Sequence, residues 1–310
     1  MDWSAINPAF FIASIMVSAT PLLLAAIGEL VAEKTGVLNL GVEGMMITGA
    51  ICGFIISVET GSPTLGFICG ALGGAVLSLI FALLTQLFMA NQVASGLALT
   101  LFGLGFSSMI GQGYVGIVPP DVPKLMEGAD LSAFQRIALG HDAVLYIGLL
   151  IPVIVWYVLK YTRLGLVLRA VGEDHEAAHA LGYKVIWIRV GAIFFGGACA
   201  GLGGAYLSLV RVPQWTDGMT AGIGWIALAL VVFASWRPLF IIIGAYLFGG
   251  VTVLQLNLQA AGSTIPVEYL SMSPYVITIL VLVLLSVLQK YGLLRAAAPA
   301  MLGRLFHASN

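Results

Sequence analysis

Apolar residues run nearly unbroken along most of this chain, and polar ones interrupt them at intervals long enough for bilayer crossings. A transmembrane helix needs about 20 mostly apolar residues. Runs of that kind give approximate spans 10–32, 38–58, 64–89, 93–112, 143–161, 188–210, 223–236, 238–256 and 273–289. The pattern predicts an all-α, polytopic transmembrane bundle of about nine spans, with eight or ten as alternatives, in one domain over 1–310. Two spans are irregular. The 223–236 run is short for a full crossing, and 38–58 is interrupted by Gly41, Glu43, Gly44 and Gly49. The longest polar interruptions are 113–142 and 162–187.

Composition agrees with the pattern. Of 310 residues, 60% are hydrophobic and 9% charged, where soluble proteins carry roughly 25% charged residues. The net charge of −1 implies no nucleic-acid partner. Gly66, Gly70 and Gly74 recur every fourth residue, as do Gly197, Gly201 and then Ala205, which predicts packing seams where backbones approach closely in lipid. Cys52, Cys69 and Cys199 fall in apolar runs with no metal or disulfide spacing. The first residues lack the basic region of a cleavable signal.

Basic loops stay on the cytoplasmic side of a membrane. Segment 160–190 holds Lys160, Arg163, Arg169, Lys184 and Arg189, and the tail holds Lys290, Arg295 and Arg304. Placing both inside and alternating outwards also brings Lys34 and Arg237 inside, leaving Lys124, Arg136 and Arg211 outside. Segment 113–142 then becomes the outer loop, 162–187 the inner one, the N-terminus lies outside and the C-terminus inside. Trp156, Trp187 and Trp236 near the inner boundary and Trp215 near the outer one suit interfacial anchoring.

The inner loop contains His175-Glu176-Ala177-Ala178-His179, a literal H-E-x-x-H. On a helix that spacing places two zinc-binding imidazoles on one face beside a water-activating glutamate. The helix is well specified: Glu173 or Asp174 caps it, Glu176 suits its first turn, and Gly182 ends it. A zinc site needs a third ligand, however, and the remaining histidines are His141, on the outer side, and His307, in the tail. The match reads as chance, on a short surface helix whose histidines face water or a partner.

The stretch YTRLGLVLRAVGEDHEAAHALGYKVIWIRVGAIFFGGACAGLGGAYLS (161–208) resembles the cytoplasmic coupling region of ABC-importer permeases of the branched-chain amino-acid and simple-sugar branch. GELVAEKTGVLNLGVEGMMITGA (28–50) resembles that family's broken second-span region. NQVASGLALTLFGLG (91–105) and GIGWIALALVVFASWRPLFIIIGAYLFGGVTVLQLNLQ (222–259) are most similar to its nucleoside-import subgroup, and PVEYLSMSPYVITILVLVLL (266–285) extends the likeness over nearly the whole chain. One departure is that the family pattern carries a basic residue near Ile223, as in G-R-G-F.

The resemblance implies a permease subunit in a bacterial cytoplasmic (inner) membrane, translocating a nucleoside or related small polar solute, with simple sugars as the alternative. It implies an ABC ATPase subunit that binds ATP and Mg, a second and paralogous permease, and an extracytoplasmic substrate-binding protein. The chain itself has no G-x-x-x-x-G-K-[ST] phosphate loop, so catalysis is expected elsewhere. The coupling helix would be Asp174–Leu181, with Glu173, Asp174, His175, Ala177, Ala178, Leu181 and Gly182 meeting the ATPase. Charges in spans default to functional candidates. Here these are Glu29 and Glu43, joined by the polar Asn39, Asn91, Gln92, Ser95, Gln112 and Asn257. Asn39, Glu43, Asn91, Gln92 and Ser95 are the pathway set, although a carboxylate such as Glu43 can instead serve free backbone N–H groups at a helix break. Asp121, Glu127, Asp130 and Asp142, against Lys124 and Arg136, make the outer loop a docking candidate for the binding protein.

Overall fold

A computed structural model describes residues 8–126, 139–260 and 298–306, with scattered single positions between them. The described residues form helices α1 (Pro8–Lys34), α2 (Val42–Thr60), α3 (Pro63–Ala82), α4 (Gln92–Gly111), α5 (Ala143–Tyr161), α6 (Arg163–Glu173), α7 (His175–Ala180), α8 (Val185–Tyr206), α9 (Ile223–Phe233) and α10 (Pro238–Ala260). Short π-helical turns extend α3 through Leu87 and α8 through Arg211. The all-α class is as the apolar pattern predicts.

Seven of these helices are long and apolar enough to cross a bilayer. The expected span 273–289 lies largely outside the described residues. The expected span 223–236 is corrected: α9 has 11 residues, about 16 Å at the α-helical rise, roughly half of a 30 Å hydrocarbon core. The helix starts where expected, at Ile223, but stops at Phe233, beyond which Ser235 and Trp236 turn the chain at positive φ, so hydropathy alone overstates it.

Long helices alternate in direction, so α1, α3, α5 and α9 finish at the end of the bundle that carries α6 and α7. The opposite end holds Tyr114, Trp215 and the cap of α5, where Asp142 accepts from the Leu145 amide and from the Tyr206 hydroxyl. Asp142 is buried there, which removes it from the docking charges expected of the outer loop. Glu127, Asp130 and Arg136 lie outside the described residues.

α1, α2 and α8 form the centre, with α3 packed on α2 and α8. The glycine seams are real. A methyl group on Gly74 would meet the Gly197 carbonyl oxygen at 2.3 Å, and one on Gly201 would meet that of Gly70 at 2.3 Å. From α2, at the same point on α8, a methyl group on Gly49 would stand 2.3 Å from the Gly201 Cα. Close backbone approach maximises dispersion contact in lipid, where no hydrophobic effect drives helices together.

Between α1 and α2 the chain does not turn in water. Residues 35–41 run as a non-helical segment folded back alongside α1 and α4, with Thr35, Val37 and Asn39 fully buried. Backbone without a ladder is tolerated at such depth only when protein groups serve it. Here they do. The Leu38 amide donates to Gln92 Oε1 at 2.8 Å and the Asn39 amide to Glu29 Oε1 at 3.1 Å. The Thr100 hydroxyl donates to the Leu40 carbonyl at 3.0 Å.

Candidate functional site

Two features stand out, one at each margin of the 35–41 segment. The first is the α6–α7 knob. Thr162 caps α6 by accepting from the Gly165 amide, and α6 is strongly amphipathic, with Leu168 and Val171 inward. Asp174 ends α6 and caps α7, its Oδ1 accepting from the Glu176 and Ala177 amides at 3.1 and 2.9 Å. Of the two caps offered by the sequence, Asp174 is the one used. Gly182 closes the helix in the left-handed region, at φ 89°.

The expected coupling residues divide by face. Glu173, Asp174, Ala177, Leu181 and Gly182 are exposed, Leu181 at 78% of its surface. His175 and Ala178 turn inward, Ala178 packing with Val171, Val185 and Phe306. The expectation that both histidines face water or a partner is therefore corrected at His175. Its Nδ1 lies 3.1 Å from Nη2 of Arg189. A guanidinium only donates, so Nδ1 accepts and the imidazole is neutral with its proton on Nε2. Burial, then the Arg189 charge, push the His175 pKa below its ordinary value, against the opposite pull of Glu176 and Asp174. Among the described residues no three His, Cys, Asp or Glu side chains gather as a metal site.

Arg189 stands inside the first turns of α8 and is fully buried. Besides His175 it donates to the Thr35 carbonyl and, through Nη1, to the Arg304 carbonyl, both at 3.1 Å. The C-terminal stretch 298–306 is thus part of this end. The Met301 amide donates to the Gly172 carbonyl at 2.9 Å, the Gly303 amide to the Gly36 carbonyl at 3.0 Å, and Phe306 meets both histidine rings edge-on. Sequence reasoning missed this junction, having assigned Arg189 to the basic loop, although a charge within the run VIWIRVGAIFF was the available signal.

The second feature lies half-way into the bundle. Glu43, on the first turn of α2, is level with the middle of α4, since Gly44 packs against Leu99, Thr100 and Gly103. Its carboxylate is buried and holds the start of α9. Oε1 accepts from the Thr220 hydroxyl at 2.6 Å and the Gly222 amide at 2.9 Å, and Oε2 from the Gly224 amide at 2.7 Å. A helix N-terminus offers unsatisfied amides and partial positive charge, so an acidic side chain there satisfies both. Residue 224 must be glycine, because a Cβ would lie 2.6 Å from the Glu43 Cα. The other end of α9 is tied by a carboxylate too: Trp236 Nε1 donates to Glu33. Ala221 at one end and Ser235 and Trp236 at the other take positive φ (43°, 48° and 54°), a conformation costing about 1–2 kcal/mol for residues with a Cβ.

The pathway candidates are partly gathered. Asn39, Glu43 and Gln92 all surround the 35–41 segment, Asn39 Oδ1 accepting from the Gly41 amide at 2.9 Å. Asn91 caps α4 through the Ala94 amide at 3.0 Å, and Ser95 is buried on the α4 face toward the segment. A polar cavity lies elsewhere. A space of about 300 Å³ between α1, the end of α8, the 212–222 turn and α10 is lined by Ser18, Arg211, Thr220, Thr252 and Gln255. A wider one of about 880 Å³ continues from Ser18 and Arg211 to Lys124 and His141 at the opposite end. Arg211 borders both, a residue the charge pattern placed only as an outer loop cation.

A family profile described as the branched-chain amino acid transport system / permease component matches residues 11–285. The chain is 43% identical over 249 residues (78% of its length and 76% of the relative's) to the putative glucose ABC transporter permease protein TsgC13 of Haloferax volcanii. It is 32% identical over 285 residues (86% and 89%) to the guanosine ABC transporter permease protein NupQ of Bacillus subtilis. With the nucleoside ABC transporter permease protein NupC of Lactococcus lactis it shares 31% over 291 residues (88% and 91%). Each of these organisms also holds a second relative at lower identity, 27%, 23% and 26% respectively. No solved structure matches the chain.

Proposed function

The chain belongs to the permease family of branched-chain amino acid transport systems, and from that footing we propose that it pairs with an ABC ATPase and carries a nucleoside. Membership in the family and relatives that are themselves ABC permeases support the transport role. The capped helix α7, standing proud of the bundle with Leu181 and two carboxylates exposed, is the surface an ATPase cleft would receive. ATP and Mg bind in that partner, and ATP-driven closure pushes on α7. The α6–α7 end faces the cytoplasm of a bacterial inner membrane, and the opposite end meets an extracytoplasmic binding protein.

A second, paralogous permease completes the pathway. In support, three organisms each contribute one nearer and one more distant relative, as expected if this chain is one member of a pair. Solute enters along the cavity bordered by Arg211 and descends toward Thr220, where α9 begins. Hydroxyl, amide and guanidinium groups there suit a ribose or a base edge. A simple sugar is the second reading, favoured by the 43% identity to the glucose permease relative.

Transport by the complete complex in proteoliposomes tests the proposal. ATP-dependent uptake of labelled guanosine, with glucose failing to compete, is the expected result. Glucose uptake without guanosine uptake establishes the sugar reading, and no ATP dependence overturns both.

A further inference from the structure

We propose that Arg189 is the positioning residue that makes the coupling helix α7 and the buried 35–41 segment a single moving body. The inference rests on the importer reading and adds to it the route by which movement enters the bundle. Three arms of one guanidinium donate to three segments: Nε to the Thr35 carbonyl at the start of the 35–41 segment, Nη1 to the Arg304 carbonyl of the C-terminal stretch, and Nη2 to His175 on α7. A planar, five-donor fork fixes directions as well as distances, which a flexible ammonium does not. All three of these atoms accept, so none can bond another directly, and the donor that joins them is Arg189.

The C-terminal stretch closes the block. It donates from Met301 to the last turn of α6 and from Gly303 to Gly36. Gly36 sits at φ 86°, and a Cβ there would stand 3.0 Å from both Arg189 Nη2 and the Met301 carbonyl oxygen, so only glycine lets these parts meet. Beyond Gly36 the segment continues into groups already described: Gln92 and Glu29 hold it, and four residues past Asn39 the Glu43 carboxylate grips α9. Displacement of α7 is therefore delivered to the junction of α2 with the half-length helix, through parts with discrete contacts rather than soft loops. Without Arg189, α7 keeps its cap and its exposed face but loses its bond to Thr35.

Spin labels at Ala180 and Leu38, read in the reconstituted permease–ATPase complex with and without ATP and vanadate, test this directly. The wild-type chain should give one narrow distance that nucleotide leaves unchanged. Arg189→Gln should broaden or shift that distance on nucleotide addition and lower transport per ATP about tenfold, while ATP hydrolysis stays within about twofold. Arg189→Lys, which restores one donor, should recover part of the effect. His175→Ala removes the acceptor on α7 without touching a membrane-spanning residue, and should behave as Arg189→Gln does. Wild-type distances and stoichiometry in both variants overturn the proposal. So does a poorly inserted Arg189→Gln beside a wild-type result for His175→Ala, which would reduce Arg189 to a folding residue. A wild-type chain that binds no ATPase instead sinks the importer reading itself.

Discussion

The Glu43 carboxylate holds the Gly224 amide at 2.7 Å across 181 positions of sequence. An acidic residue at the broken start of one helix thus supplies the anion for the N-terminus of another, in the middle of the bundle. With Glu33 holding Trp236 at the far end, α9 is pinned between two carboxylates. A helix too short to cross, with left-handed residues at both ends, keeps its place because those contacts over-determine it.

Removing the anion should therefore cost more than removing its charge. Glu43→Ala leaves two amides and a hydroxyl without acceptors and is expected to destabilise the purified permease by about 3 kcal/mol or more. Glu43→Gln retains one accepting oxygen and should lose less. Thermal unfolding in detergent ranks the two, and equal losses would mean that the hydrogen bonds at this site are not what stabilises it.

Gly224→Ala tests the same contact by volume instead of chemistry. The added methyl group must displace α2 at Glu43, at an overpacking cost of about 1–3 kcal/mol. Combined with Glu43→Ala, the two losses should be strongly non-additive, because they act at one contact.

Acid should loosen the α7 junction. The His175 pKa is lowered in the folded chain, so its neutral form contributes stability that is whole above the ordinary value of 6.5. That contribution is lost as pH falls toward the lowered value, when a third positive charge joins Arg189 and Arg304, opposed by Asp174 and Glu176. His175→Gln keeps an acceptor for Arg189 that does not titrate. Unfolding midpoints followed between about pH 5 and 8 should fall on acidification more steeply in the wild type than in this variant.

The exposed face of α7 has its own signature. Glu173→Lys reverses an exposed charge where α6 meets α7, and Gly182→Pro cannot adopt φ 89°, proline being held near −65°. Both variants should insert normally yet abolish stimulation of the ATPase by loaded binding protein. Wild-type stimulation in both would remove α7 from the coupling role.

Arg211 bears on the solute. If the cavity it borders is the route, Arg211→Gln should lower solute uptake about tenfold, leaving solute affinity of the binding protein and basal ATP hydrolysis intact. Uptake kinetics and hydrolysis, measured on the same vesicles, separate these outcomes.

Much of this protein is legible from sequence because the bilayer is a strict solvent. Long apolar runs must become helices, since lipid cannot serve a bare backbone, and small residues at four-residue spacing must become seams. The cap at Asp174 and the stop at Gly182 are local chemistry and were readable for that reason. The long-range partnerships of polar groups, by contrast, are set by the folded arrangement alone. Hydropathy reads 223–236 as another span because the run stays apolar past Phe233, where the backbone leaves the helix. The same averaging hid Arg189, a lone charge in an apolar run whose partners lie 14, 115 and 154 positions away. Buried hydrogen-bonding groups must find partners somewhere, and sequence states the need without naming the partner. Folding supplies the name: Arg189 for His175, and Gly224 for Glu43.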